Sequence, residues 1–161
     1  MSQKAVHIFL MISFLLLVGC GKAAEGVTED KRLGTDSDFY DNPDQGIRIK
    51  AADGWVIEKV TAKGIKVKNE KLVAMISVIP KGKTVSEIKK ELQKAAGNVT
   101  VTGEGLNFIS WQSERQESIY TGVWIEEQSN RHVIVTIMTP NELYEENKAK
   151  IEAFRESIKL Y

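Results

Sequence analysis

Several residue types are scarce in this chain of 161 residues, and each scarcity excludes a class of protein. A single cysteine cannot form an intramolecular disulfide, so the fold must be held together by its core. A zinc site takes three or four nitrogen or sulfur ligands, whereas the chain after residue 20 contains one histidine and no cysteine. The 22 basic and 22 acidic residues balance, whereas nucleic-acid binding needs a clustered basic excess. We therefore expect no metal, no cofactor and no nucleic-acid partner.

The N-terminus has the pattern of an export signal. Lys4 precedes an apolar run over residues 8–18, and small residues follow that run, as in secretory signals. The run is shorter than the roughly 20 apolar residues that a transmembrane helix needs. Its last four residues, Leu-Val-Gly-Cys ending at Cys20, resemble the lipobox of bacterial lipoproteins.

The lipobox resemblance implies a lipid anchor. In that family the cysteine thiol is alkylated by a diacylglycerol and the peptide is cut just before it, so residues 1–19 would be the signal peptide and Cys20 the lipidation site. Two or more acyl chains give stable attachment without spanning the membrane. The protein is then expected on the extracytoplasmic side of a membrane. Gly21 is not the aspartate that retains lipoproteins at an inner membrane, so an outer-membrane location is allowed where that membrane exists.

Residues 20–44 are interpreted as the lipidated cysteine and a flexible tether. The stretch 21–44 contains seven acidic and three basic residues and shows no helical or strand period. A flexible chain of this length has an end-to-end distance of about 25–30 Å. Asp36 and Asp38 resemble the start of a calcium loop, but an EF-hand needs glycine and glutamate where this chain has Asp41 and Ile47.

Residues 45–161 are predicted to form one domain. Strand-like alternation occurs at residues 47–50, 55–60 and 65–68, and further strands are predicted at 106–111, 117–126 and 132–138. Residues 72–79 are nearly all apolar, which predicts a central strand covered on both faces.

Two helices are predicted from capping signals and apolar stripes. Thr84 and Glu87 form a capping box for the first helix, which ends at Gly97. Residues 139–142 repeat the capping box before a terminal helix, whose expected buried side chains are Leu143, Ile151, Phe154 and Ile158. Strand clusters with one helix between them and one at the end predict an α+β fold, an antiparallel sheet sandwiched with helices.

The order of these elements resembles a known family. A short strand, Asp-Gly-Trp, a buried strand ending in Pro80, a capped helix, a three-strand meander and a terminal helix introduced by Thr-Pro-Asn-Glu-Leu-Tyr are similar to the PsbP-like fold. Ran-binding Mog proteins and DcrB-type bacterial lipoproteins share it. PsbP proteins assist photosystem II and some bind metal through histidine, but the mature chain would keep one histidine, His132, so that role is not implied here.

Two local motifs have structural explanations. Gly82-Lys83-Thr84 resembles the end of a phosphate-binding loop, but Ser77 stands where that motif requires glycine, and helix capping accounts for Thr84. His132 begins an apolar strand, and no recognisable nucleophile or metal-ligand set accompanies it. We interpret it as a structural histidine.

The candidate partner-binding residues are Tyr120, Trp124 and Trp111. Tyr120 and Trp124 fall on one face of the strand 117–126, with Gly122 between them. If no helix covers this face, its aromatic rings would suit a protein partner or a flat ligand. If a helix covers it, the rings form a second core.

These observations lead to one functional prediction and one alternative. The chain is expected to be a membrane-anchored cell-envelope lipoprotein that acts as a non-catalytic interaction or assembly module for a protein partner. The alternative is an envelope lipoprotein that binds a small ligand, which requires a concave apolar pocket. An enzyme is not expected, because no catalytic constellation is recognisable in the sequence.

Overall fold

The computed structural model describes residues 38–50, 53–114 and 116–161. All of these belong to one compact unit. The predicted signal peptide, Cys20 and residues 21–37 of the predicted tether lie outside the described residues. No helix within the described ranges is long and apolar enough to span a membrane.

Ten strands and two α-helices follow one another in the described chain. The first five strands are β1 (Asp38–Asn42), β2 (Ile47–Lys50), β3 (Val56–Thr61), β4 (Gly64–Asn69) and β5 (Leu72–Pro80). Helix α1 (Val85–Ala96) is followed by β6 (Val99–Gly105), β7 (Phe108–Ser113), β8 (Ile119–Glu127) and β9 (Arg131–Pro140). A 3-10 turn (Asn141–Leu143) leads into α2 (Tyr144–Ser157) and β10 (Ile158–Leu160).

The strands form two antiparallel sheets. The large sheet has seven strands in the order β3-β4-β5-β9-β8-β7-β6, and the small one has three in the order β1-β2-β10. Every neighbouring pair is antiparallel. The α+β class predicted from the sequence, with an antiparallel sheet and helices, is therefore confirmed.

One face of the large sheet packs against α2 and the small sheet. Phe154 of α2 is completely buried there, and its ring stacks on Trp55 with centroids 4.0 Å apart. The strands contribute the apolar side chains Ile47, Ile49, Ile65, Val67, Leu72, Ala74, Ile76, Val133, Val135 and Ile137. This core is the larger of the two and holds both sheets together.

The opposite face of the large sheet packs against α1. Ile88 is buried against side chains of β7, β8 and β9, namely Ile109, Trp111, Val123, Ile125 and Ile134. The predicted capping box is confirmed, because the Thr84 hydroxyl accepts from the Glu87 amide and the Glu87 carboxylate accepts from the Thr84 amide at 2.8 Å. Local sequence thus determines where α1 begins.

The tether predicted for residues 20–44 requires a correction at its C-terminal end. Strand β1 lies inside that range and pairs with β2. Phe39 and Tyr40 pack against the larger core, and Arg48 of β2 forms an ion pair with Asp41 at 2.9 Å. The segment resembled a linker because its composition is dominated by acidic and small residues. Its two aromatic residues nevertheless pack against the core.

The terminal helix also begins differently from the prediction. β9 continues to Pro140, which pairs with Ile119 of β8, and no side chain caps the following turn or α2. Ile151 and Phe154 are buried as expected, whereas Leu143 is half-buried and Ile158 starts β10. Strands β6 and β10 were not predicted. Pairing with β7 and β2 specifies them, and a local pattern does not show which strands will pair.

β5 is central, as predicted, but its two faces differ. Leu72, Ala74 and Ile76 have at most 1% of their surface exposed and belong to the larger core. Val73 and Met75, which point to the other side, are only partly buried. The expectation that both faces are covered therefore holds fully for the first face alone.

Candidate functional site: an aromatic cleft between β8 and α2

Trp124 lies on the face of β8 that is directed towards α2, and it is half-buried. Phe108 is its cross-strand partner on β7, with ring centroids 5.1 Å apart. Arg155 of α2 places its guanidinium carbon 4.1 Å from the centroid of the indole. At this distance the cation is attracted by the electron-rich face of the ring. Trp124 is thus held by contacts from a neighbouring strand and from a helix.

Gly122 makes room for the indole on the surface of β8. A Cβ atom at this position would lie 2.5 Å from Cη2 of Trp124 and 3.3 Å from the hydroxyl of Tyr120. Real carbon atoms do not approach so closely, so only glycine allows the ring to lie back along its own strand. The orientation of Trp124 is therefore determined by a residue two positions away.

A shallow cleft opens beside Trp124. It has a volume of about 280 Å³ and is lined by Trp124, Glu126, Val135, Arg155, Ile158 and Leu160. A second open cleft of about 330 Å³ shares Arg155 with it and is otherwise lined by Glu152 and Glu156. Pockets for drug-sized ligands typically enclose about 300–1,000 Å³ and bury most of the ligand. Both clefts are at or below the small end of that range and open to solvent.

Acidic side chains outnumber Arg155 at the rim of the cleft. Burial lowers the pKa of the Arg155 guanidinium, while the carboxylates of Glu126, Glu152 and Glu156 act in the opposite direction. An arginine stays protonated at any physiological pH. Three carboxylates therefore face one cation, and the rim of the cleft is negative.

The structure separates the three aromatic candidates. Tyr120 is on the same face as Trp124 but only 6% exposed, because the tilted ring of Tyr144 of α2 packs on it with centroids 3.9 Å apart. Burial, followed by the contact with Tyr144, raises the pKa of Tyr120 to about 12. Trp111 is buried on the opposite face, under α1. The three do not form one surface, and only Trp124 offers an exposed ring area.

His132 is completely buried at the start of β9. Its Nε2 donates a hydrogen bond to the carbonyl of Lys83 at 2.9 Å, whereas Nδ1 has no hydrogen-bond partner. This bond ties the strand to the loop that precedes α1, which agrees with the structural interpretation. In the part of the chain that the structure describes, no group of three or more potential ligands could hold a metal ion.

Sequence reasoning missed Arg155 and Phe108 as members of the site. Phe108 lies in a strand whose register with Trp124 is known only from the folded sheet. Arg155 follows Phe154 on α2, and nothing in its neighbourhood distinguishes it from other charged helix residues. Cys20, the predicted lipidation site, is outside the described residues.

Comparison with known proteins shows the fold. No protein-family model matches the sequence, and no curated protein is significantly similar to it. Among solved structures, a point mutant of the protein Mog1 has a TM-score of 0.52 at 8% identity, covering 80% of this chain and 96% of that one. The Ran-binding protein Mog1p of Saccharomyces cerevisiae has a TM-score of 0.50 at 8% identity, covering 71% and 90%.

A cyanobacterial PsbP from Synechocystis has a TM-score of 0.49 at 11% identity, covering 87% of this chain and 98% of that one. Identities this low say nothing about shared function. The likeness to Mog1 confirms the fold that the order of sequence elements predicted.

Proposed function

We propose that this chain is a membrane-anchored cell-envelope lipoprotein whose domain acts as a non-catalytic interaction or assembly module. The sequence ending at Cys20 supports the anchor, since it has the residues of a lipobox after an apolar run. The fold does not identify the partner. Mog1p is described as Ran-binding, and an identity of 8% does not allow that property to be transferred to this chain.

The observation that carries the interaction role is the half-buried ring of Trp124 under the guanidinium of Arg155. Tryptophan and arginine are the residues most often found as energetic anchors of protein interfaces. Gly122 and Phe108 already hold the indole in place. Little side-chain entropy is then lost on binding, which favours affinity.

The charge of the rim indicates the chemistry of the partner. Glu126, Glu152 and Glu156 outnumber Arg155, so the cleft favours an apolar group flanked by lysine or arginine. The apolar floor is supplied by Ile158 and Leu160 together with Trp124. The small-ligand alternative receives less support, because the cleft is open and cannot enclose a molecule.

The docking role is tested by capture of partners from solubilised membranes with the lipidated chain and with Trp124→Ala. We expect at least a tenfold loss of the captured partner, corresponding to about 1.4 kcal/mol or more, with a nearly unchanged melting temperature. Val60→Ala is the matched control, because Val60 is 51% exposed and lies on β3, which is separated from β8 by three strands of the large sheet. Equal capture by the parent and Trp124→Ala chains would contradict docking at the cleft.

The anchor is tested separately with Cys20→Ala. This variant should accumulate as uncleaved precursor and lose labelling by a fatty-acid probe, because no other cysteine can accept the lipid. Continued labelling of the variant would disprove lipidation at Cys20.

A further inference from the structure

Strand β10 has a free edge beside the cleft at Trp124. The small sheet has the order β1-β2-β10, so β10 pairs with β2 on one side, and no strand in the described ranges pairs with its other side. Ile158 and Leu160 of β10 line the cleft, whereas no residue of β2 does. An unpaired strand edge presents backbone N–H and C=O groups that can bind a further strand.

The register of β10 shows which backbone groups face this edge. Tyr161, directly after the strand, donates its N–H to the carbonyl of Gly46 at 3.2 Å. In an antiparallel pair, residues that exchange hydrogen bonds with the partner strand alternate with residues that do not. The N–H and C=O of Leu160 are therefore directed away from β2. The C=O of Ile158 has the same direction, while its N–H is bonded to the carbonyl of Arg155.

The cleft beside this edge has room for side chains but not for a helix. One turn of a helix with its side chains is about 10 Å wide and 5.4 Å long, which is roughly 420 Å³. The cleft has a volume of about 280 Å³. An extended segment needs less space, because its alternate side chains can enter the cleft while its backbone pairs with β10. The cleft and the free edge together therefore fit an extended segment.

The charges at the rim select basic side chains. Glu126, Glu152 and Glu156 act on Arg155 through their charge, and the described chain contains no ion pair between these carboxylates and a lysine or arginine. Lys159 alternates with the two residues of β10 that line the cleft, so it projects from the other face of the strand. The rim is therefore negative, which lysine or arginine of a partner complements.

We propose that the protein partner docks by adding an extended segment to the free edge of β10. This inference rests on the proposed function, since it specifies how the partner occupies the cleft. One apolar side chain of the segment packs against Trp124, Val135 and Leu160. Main-chain hydrogen bonds to β10 give affinity, and the side chains that enter the cleft give specificity.

The spacing of the cleft residues predicts a short recognition pattern. Trp124 and Glu126 are two residues apart on one face of β8, which is about 7 Å along the strand. Side chains two positions apart in an extended segment have the same spacing. A lysine or arginine two positions from the apolar residue therefore reaches Glu126.

The test uses a phage-displayed library of random short peptides, selected on the full chain in a mild detergent. We expect the enriched sequences to share an apolar residue with lysine or arginine two positions away. A synthetic peptide of this consensus should bind Trp124→Ala about tenfold or more weakly than the parent chain. Val60→Ala is the matched control and should bind normally, because Val60 is exposed on β3, which is separated from β8 by three strands.

Two changes test strand pairing separately from docking. N-methylation of alternate peptide bonds on the edge of the peptide that faces β10 removes its donors and should weaken binding about tenfold or more, whereas methylation of the other set should not. Leu160→Pro removes the outward N–H of β10 and should also weaken binding, while Leu160→Val retains it. Should Leu160→Pro lower the melting temperature, the methylated peptides decide.

The outcomes distinguish this inference from the proposed function. Binding that depends on Trp124 but tolerates both sets of methyl groups, or a consensus with the three- to four-residue spacing of a helix, would overturn strand addition and leave docking at the cleft intact. Binding that Trp124→Ala does not weaken would contradict both. No enriched sequence, an acidic consensus, or a dimer of the full chain that the consensus peptide dissociates would also overturn strand addition by a partner.

Discussion

Trp124 lies over Gly122 so closely that the smallest side chain at position 122 would collide with the indole at 2.5 Å. The glycine therefore does more than interrupt a strand. It allows a large ring to fold back along β8 and to meet Arg155 from the following helix. The candidate docking surface depends on this pair of residues.

Gly122→Ala is expected to displace the indole of Trp124 and to lower the free energy of unfolding by about 1–3 kcal/mol, the usual cost of overpacking. The N–H signal of Trp124 in a two-dimensional NMR spectrum should shift, while those of Trp55 and Trp111 stay. Gly82→Ala is the control, because nothing lies within 4 Å of a Cβ there. An unchanged Trp124 signal would show that the ring does not rest on Gly122.

The Arg155–Trp124 contact should be measurable as a coupling energy. A double-mutant cycle with Trp124→Leu and Arg155→Met should give about 0.5–2 kcal/mol in chemical denaturation, as expected for a partly desolvated cation–π pair. The control cycle combines Trp124→Leu with Lys150→Met, because Lys150 of the same helix forms its ion pair with Glu70 at 3.7 Å. A coupling energy near zero would mean that the guanidinium is not held on the ring in solution.

Tyr120 should make stability sensitive to alkaline pH. Its pKa is raised to about 12 in the folded chain, against about 10 for an unfolded tyrosine. A raised folded pKa gives stability that is complete below pH 10 and is lost as the pH rises towards 12. Tyr120→Phe should therefore flatten the fall in unfolding free energy between pH 9.5 and 11.5, measured by denaturant titration. Parallel profiles for the two chains would refute the raised pKa.

β1 should contribute to the stability of the domain, although its sequence resembles a linker. A fragment that begins at Gln45 loses the packing of Phe39 and Tyr40 and the ion pair between Asp41 and Arg48. Compared with a fragment that begins at Asp38, we expect a loss of about 2 kcal/mol or more from the apolar burial. Equal melting temperatures for the two fragments would mean that β1 adds no stability and that the domain begins at residue 45, as the sequence predicted.

Part of this structure could be read from short stretches of sequence. The cap at Thr84 and Glu87, the alternation in β2 and β4 and the central position of β5 were all predictable, because they depend on residues within one turn or one strand. The lipobox at Cys20 is a pattern of the same local kind. Together with the order of elements, these patterns were sufficient for the fold class.

Other features were decided only when distant segments met. Periodicity shows that one face of β5 is buried, but it cannot say that Val73 and Met75 on the other face lie outside the core under α1 and stay partly exposed. Arg155 reaches Trp124 only because α2 packs back across β8. In the same way, β1 is a strand because β2 is available as its partner. Each of these outcomes depends on which distant segments pack against each other in the folded chain. A local sequence pattern contains no information about that packing.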